Sequence, residues 1–326
     1  MSAFPPRALV TGGSGFLGGR LAQLLAARDV TVRALVRDGS DTRHLGDSRI
    51  ELVRGSLTDG ESLAAAVRGV THVYHCAACS TDWAPWRVYY DANVAGVRNL
   101  LEAAAREPGL ERFLHVSTTD VYGYPRVPCS ESGPLVDVGL PYNRTKLLGE
   151  NLVRDASLPW TILRPATIHG PRGKAFAIDI AALLRQGLMA VIDGGRAPGG
   201  FSYVDNVAEA IIAAGASPNT VGRVYNIADG SGATWRTYVD ALADGLGLRR
   251  PWLSMPSSAA FELARAMEAA HRFLRLPGRP LLTRHAVYLL ARDQEFPTEA
   301  ARRDFGFQPA VSFEEGVERT VAWLRE

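Results

Sequence analysis

The chain has 326 residues, enough for two domains or one large domain with a lobe, and 47% of them are hydrophobic, enough for a substantial core. Its 36 basic and 34 acidic residues leave a formal charge of +2, and no basic run exceeds two neighbours, which speaks against nucleic acid or a polybasic membrane contact. No apolar run approaches the roughly 20 residues of a membrane helix, three cysteines are too few for a disulfide framework, and no signal-peptide pattern opens the chain, so the expected place is the reducing cytoplasm.

In chain order, short β-rich runs alternate with helical ones. Ala8–Thr11 reads as a strand and Phe16–Arg28 as a helix, joined by Gly12-Gly13-Ser14-Gly15. A strand, a glycine turn and a helix start suit a dinucleotide pyrophosphate. Glycines let the backbone approach the phosphates, and the helix N-terminus offers free N–H groups and partial positive charge. Gly13-x-Gly15-x-x-Gly18 fits the general Rossmann fingerprint. Thr31–Val36 and Ile50–Val53 read as strands, Ser62–Val67 as helical and His72–Cys76 as a further strand. Cys76-Ala-Ala-Cys79 has CxxC spacing without a second pair, so it reads as a buried or pocket-lining pair, and no metal is expected. Tyr89–Ala105 reads as one long helix, with Val94, Val97, Leu101 and Ala104 at helical spacing. Phe113–Ser117 and Trp160–Arg164 are strands flanking a helix over Tyr142–Arg154.

After Arg164-Pro165 the rhythm breaks. A helical patch at Ile178–Gly187, an extended run at Phe201–Asp205, a helix at Asn206–Ala214 and a strand at Val224–Ile227 precede a mainly helical remainder. The expected class is α/β: a Rossmann-type doubly wound parallel sheet with a smaller, mainly helical C-terminal substrate lobe. Residues 1–168, with 201–229 returning to the sheet, form the dinucleotide-binding domain; 169–200 and 230–326 form the lobe. Ligands in such sheets lie beyond the carboxyl ends of the strands.

Two patterns carry chemistry. Tyr142 and Lys146 are four apart, so phenol and ammonium share a helix face, and the cation favours phenolate. A tuned tyrosine can exchange a proton with a substrate oxygen; the bland alternative is an exposed Tyr–Lys pair. Val116-Ser117-Thr118-Thr119-Asp120-Val121-Tyr122-Gly123 puts hydroxyls at a strand's carboxyl end, where they can bond a carbonyl oxygen or merely cap the strand.

Together, the glycine turn, which also reads Gly12-x-x-Gly15-x-x-Gly18, the hydroxyl cluster, Tyr142-x-x-x-Lys146 and Arg164-Pro165 resemble the extended short-chain dehydrogenase/reductase superfamily over most of the chain. The resemblance implies that Gly12, Gly15, Phe16, Leu17 and Gly18 hold the coenzyme phosphates. It makes Tyr142 the general acid/base, with Lys146 lowering its pKa and holding the nicotinamide ribose. Thr118 falls four residues before Tyr122, where relatives carry the assisting serine, and Ser117 is the second candidate. Asn93, Ala77 and Ala78 match cofactor-side positions, and Pro165 to Ile168 flank the nicotinamide. Ser56 and Leu57 lie in the adenine-side turn, Ser56 replacing a usual aspartate. Arg37 follows Val36 where NAD-preferring relatives carry an acid, so NADP(H) is favoured over NAD(H), although Asp38 stands one residue on.

Phe201-Ser202-Tyr203-Val204-Asp205-Asn206 and Phe305-Gly306-Phe307-Gln308-Pro309 resemble the 3β-hydroxysteroid dehydrogenase-like branch, with its ketoreductases. An apolar small-molecule substrate is expected against Trp83, Trp86, Phe176 and Phe201, with Ile178, Met189 and the Ser257–Leu276 helix contributing. That helix is expected to present Glu262, Arg265, Glu268 and Arg272 to solvent rather than to a membrane or partner. Arg172, Lys174 and Arg196 keep open a nucleotide-sugar epimerase or dehydratase with tightly bound NAD, and a non-catalytic dinucleotide sensor is the other alternative. The resemblance also implies a homodimer through Tyr89–Ala105 and Tyr142–Arg154.

Overall fold

A computed structural model describes residues 7–326. Among them the strands run β1 (Ala8–Thr11), β2 (Val32–Val36), β3 (Ile50–Arg54), β4 (His72–His75), β5 (Arg112–Val116), β6 (Trp160–Pro165), β7 (Thr167–His169), β8 (Val191–Ile192), β9 (Phe201–Tyr203), β10 (Arg223–Ile227) and β11 (Ser254–Met255). Seven form one parallel sheet in the order β10-β6-β5-β4-β1-β2-β3. The order reverses between β1 and β4, and such a switch point is where an open α/β sheet leaves a crevice.

The helices are α1 (Phe16–Ala26), α2 (Gly60–Val67), α3 (Trp86–Tyr90), α4 (Gly96–Ala104), α5 (Pro141–Arg154), α6 (Asp179–Arg185), α7 (Val204–Ala216), α8 (Trp235–Gly245), α9 (Ser257–Phe273), α10 (Arg284–Ala291), α11 (Glu299–Phe305) and α12 (Phe313–Arg325). Strand alternation distributes side chains to two faces. Val10, Ala34 and Leu114 meet Leu21 of α1 and Val207 and Ile211 of α7. Leu9, Val73 and Phe113 meet Leu63 of α2, Val97 and Leu101 of α4, and Val153 of α5. A buried apolar strand on both faces is what a Rossmann-type sheet requires.

Three expectations are corrected. The long helix over 89–105 is divided: α3 starts earlier, at Trp86, and a π-helical turn over Asp91–Ala95 separates it from α4. Phe201 does not face a substrate. It is buried in a separate aromatic core, 4.4 Å from the Tyr238 ring centroid and 5.0 Å from Trp235. Phe176 packs on Trp235 at 5.8 Å, and Met189 is buried in the same cluster. Finally, Glu268 of α9 is buried rather than solvated, because Arg284 reaches it with the backbone N–H and with Nε at 2.8 and 2.9 Å.

Candidate active site

The turn between β1 and α1 is closely fitted. Gly12 has φ of +70°, and a Cβ there would lie 2.9 Å from Ala77 Cα; a Cβ on Gly13 would lie 2.8 Å from that of Ala34. A Cβ on Gly18 would approach Gly12 O to 2.3 Å, so only glycine lets the helix start this close to the turn. Gly15 caps α1 with no side-chain bond, leaving the first N–H groups for a ligand. Phe16 and Leu17 pack their side chains toward Tyr203 and Val204, so only their backbone can serve the phosphates. This cradle fits a dinucleotide pyrophosphate.

At the adenosine side, Arg37 is exposed just beyond β2, and its charge is felt at Cys79 beyond β4. Arg43, not singled out by the sequence, stands nearby on the same connection and pairs with Asp41 at 2.8 Å. Ser56 Oγ lies 3.0 Å from Thr58 Oγ1, and Leu57 O accepts from Asn99 Nδ2 at 2.8 Å. Arg172 comes from beyond β7 and donates to Ser14 O at 3.2 Å, placing a further cation beside the glycine turn.

Asn93 lies in the π-helical turn. Its Oδ1 accepts from Cys79 N at 2.8 Å, and its Nδ2 donates to Cys79 O and Thr145 Oγ1, both at 3.1 Å. It thereby fixes the segment Ala77–Cys79 against α5. Cys76, Cys79 and Cys129 are free thiols, and burial pushes Cys76 up to about 12, an unreactive value. Pro165 is buried at the end of β6, while Ile168 packs with Leu17 toward the core side.

Tyr142 opens the α5 helix and lines a cavity of about 440 Å³. Trp83, Trp86, Tyr89 and Leu140 give this cavity an apolar wall, and His285 and Arg272 enter it from α10 and α9. Phe176 and Phe201 take no part in it. Thr118 starts a 3-10 turn, its hydroxyl accepting from Asp120 N at 3.2 Å; burial raises the Tyr142 phenol, and Thr118 opposes that rise. Ser117 is oriented away: its Oγ donates to Glu150 Oε2 at 2.7 Å. Successive residues leaving a strand point to opposite sides, so only one of the two hydroxyls reaches Tyr142.

Lys146 is buried, donates Nζ to Val116 O at 2.7 Å, and is lowered to about 8 by burial, with Glu150, Cys76 and Asp120 opposing. The expected depression of Tyr142 by Lys146 does not occur in the protein alone. Burial raises the phenol strongly, and the Asp120 carboxylate adds to it. Beneath the site, Arg164 is fully buried against Glu150, which Arg154 also reaches at 2.9 Å. Arg164 Nη1 donates to Tyr122 Oη at 2.6 Å, and Tyr122 donates to Asn226 at 2.7 Å. Glu150 precedes Arg154 by four residues, a spacing that signals that pairing. His285, seated on Asp120, has no comparable local signal.

A profile of the NAD dependent epimerase/dehydratase family matches residues 8–228. The chain is 34% identical to the 2-alkyl-3-oxoalkanoate reductase of Stenotrophomonas maltophilia (strain K279a), over 96% of this chain and 98% of that protein. It is 32% identical to the 4-hydroxy-2-methyl-3-oxo-4-farnesyl-3,4-dihydroquinoline-1-oxide ketoreductase of Stigmatella aurantiaca, over 96% and 95%. The crystal structure of gox2253 superposes with a TM-score of 0.80 at 28% identity, covering 98% of each chain. UDP-glucuronic acid 4-epimerase from Bacillus cereus, in complex with UDP-glucuronic acid and NAD, gives 0.77 at 23% identity over 98% and 99%, a likeness of fold.

Proposed function

The chain belongs to the NAD dependent epimerase/dehydratase family, and from that premise we propose that it is an NADP-dependent ketoreductase, related to hydroxysteroid dehydrogenases, interconverting a ketone and a secondary alcohol on an apolar small molecule. The observation that carries this reading is Tyr142, assisted by Thr118, facing a cavity walled by Trp83 and Trp86. The names of the reductase and ketoreductase relatives agree with it. None of Arg172, Lys174 and Arg196, the cations a sugar diphosphate would call on, lines that cavity: Arg172 bonds Ser14 and Lys174 pairs with Asp179 at 2.8 Å.

The bound nicotinamide supplies or accepts the hydride. In reduction, Tyr142 gives its proton to the carbonyl oxygen as the carbon gains hydride, so a ketone becomes an alcohol and the phenol a phenolate. Thr118 orients that oxygen. Lys146, lowered by burial and held on Val116 O, stands one helical turn from Tyr142 on the same helix. The raised phenol pKa keeps the proton in place until a substrate takes it, which suits reduction. Arg37, with Arg43 on the same connection, supports NADP over NAD by offering cations to a 2′-phosphate. We assign 169–200 and 230–326 to the substrate lobe. We further propose a homodimer through the helices over Tyr89–Ala105 and Tyr142–Arg154, the latter carrying Leu148, which is 39% exposed, and a cytoplasmic location, where the three thiols stay reduced.

The test follows NADPH consumption with 3-oxo acid, steroid and flavanonol ketones. Tyr142→Phe should cut turnover by about a hundredfold to ten-thousandfold, with NADPH affinity kept. No consumption with any ketone, together with isomerisation of a sugar nucleotide, would reverse the proposal.

A further inference from the structure

Asp120 lies beside the phenol that transfers the proton, yet it is buried and accepts two hydrogen bonds from residues outside the Tyr142-x-x-x-Lys146 pattern. Tyr124 Oη donates to its Oδ2 at 2.8 Å, and His285 Nε2 meets the same oxygen at 2.8 Å. His285 is 7% exposed, sits one residue into α10, and places its ring 5.5 Å from that of Tyr142. An ionised carboxylate only accepts, so the imidazole must carry its proton on Nε2. Nδ1 has no hydrogen-bond partner among the described residues, so its lone pair is open to a second proton.

We propose that His285 is a positioning residue for proton transfer: as an imidazolium on Asp120 it offsets part of the carboxylate's charge beside Tyr142, so the C-terminal helices complete the electrostatics of the site. The proposal rests on the reading of Tyr142 as the acid/base. Without His285, Asp120 stands as an uncompensated anion next to a phenol that must become phenolate. Attraction to Asp120 holds the second proton on the imidazole.

The surroundings agree. Burial alone would lower His285, but the bond and charge of Asp120, with the charges of Asp82 and Glu268, raise it instead. Tyr124 and Tyr142 face it from the segment after β5 and from α5, and Tyr124 stacks on Tyr288 of α10 at 4.8 Å. Arg272 of α9 shares the cavity, but both it and Arg284 are drawn to Glu268, at 3.4 and 2.9 Å. Asp82 is held by Arg279 at 3.3 Å and by Thr283, the α10 N-cap, at 2.8 Å. Asp120 is therefore the carboxylate in direct contact with the imidazole.

Two measurements test this. In nuclear magnetic resonance titrations of the whole protein, the His285 ring, identified by its loss in His285→Gln, should titrate above the free value of about 6.5 and fall in Asp120→Asn. In alcohol oxidation with NADP⁺, the acidic limb of the rate profile should move up by about one pH unit in His285→Gln. That is about tenfold slower at a fixed pH below the limb. The double variant Asp120→Asn/His285→Gln should bring the limb back, a reversal that mere loss of packing would not produce. A limb unmoved in His285→Gln, or a ring titrating below the free value, overturns the inference; should that variant not fold, the ring is identified by its change in Asp120→Asn, and its titration in the wild type and that variant decides. A wild type that turns over no ketone or alcohol while its His285 titrates high strikes the proposed function instead.

Discussion

At the scale of single residues, the buried pair of Glu150 and Arg164 shows how the site is held from below. Both side chains are fully buried, and Glu150 also takes Ser117 and Arg154. Burial would raise the Glu150 carboxyl, but the bonds and charge of Arg164 outweigh it and the net direction is down. Its contribution to stability is therefore present above the unfolded carboxyl value of about 4.3 and is lost as pH falls through the lower folded value. Glu150→Gln leaves Arg164 buried without its counter-charge, and such a loss costs about 3–5 kcal/mol. Urea unfolding at neutral pH reads that loss, and Glu150→Gln/Arg164→Met should recover part of it. A single variant within about 0.5 kcal/mol of wild type, the range of an unremarkable surface change, would show that the pair contributes little.

At the scale of elements, Asp229 follows β10 and ties β9 to α7. Its Oδ2 accepts from Tyr203 N and Asn206 Nδ2, each at 2.8 Å, while Oδ1 is buried without a partner among the described residues. Burial pushes its carboxyl up to about 7, with the nearby Glu295 adding to the rise. A raised folded value means stability is full below the unfolded value near 4 and is lost as pH climbs toward 7. Asp229→Asn keeps the accepting oxygen and removes that penalty. It should gain on the order of 4 kcal/mol over wild type at pH 8 and little at pH 4, read by unfolding at both. An equal difference at the two values would mean that Asp229 ionisation is not involved. Elements of this kind also mark where the sequence was readable. Ala8–Thr11 was legible to the residue because an apolar run meets a glycine turn, and the sheet followed from the strand–helix rhythm. The π-helical turn was not, because its cause is tertiary: Asn93 bonds Cys79 in both directions. The three-residue β7 is too short to show a period, and exists by pairing with β9. Phe201 misled because aromatic character marks burial without saying whether a ligand or Trp235 provides it. His285 was invisible because its partner Asp120 is 165 residues away.

At the scale of the whole molecule, the coenzyme cradle is assembled from distant parts of the chain. The glycine turn belongs to β1 and α1, Arg37 to the end of β2, and Arg172 to the segment beyond β7 that reaches back to Ser14. A ligand that spans these parts binds only the folded state, so it stabilises by mass action: about 2.7 kcal/mol at a hundredfold excess over its Kd. For a chain of this size that is a rise in Tm of about 4 °C. On the proposed preference for NADP, the cationic edge at Arg37 should make NADPH the stronger stabiliser. At equal concentrations its shift should exceed that of NADH, and Arg37→Ala should shrink the NADPH shift toward the NADH value while leaving the latter in place. The control is Tyr142→Phe, which alters proton transfer and leaves the cradle intact, so its shifts should match wild type. An NADH shift equal to or larger than that of NADPH would assign the cradle to NAD and turn Arg37 into a solvated surface charge, with the proton-transfer site unaffected.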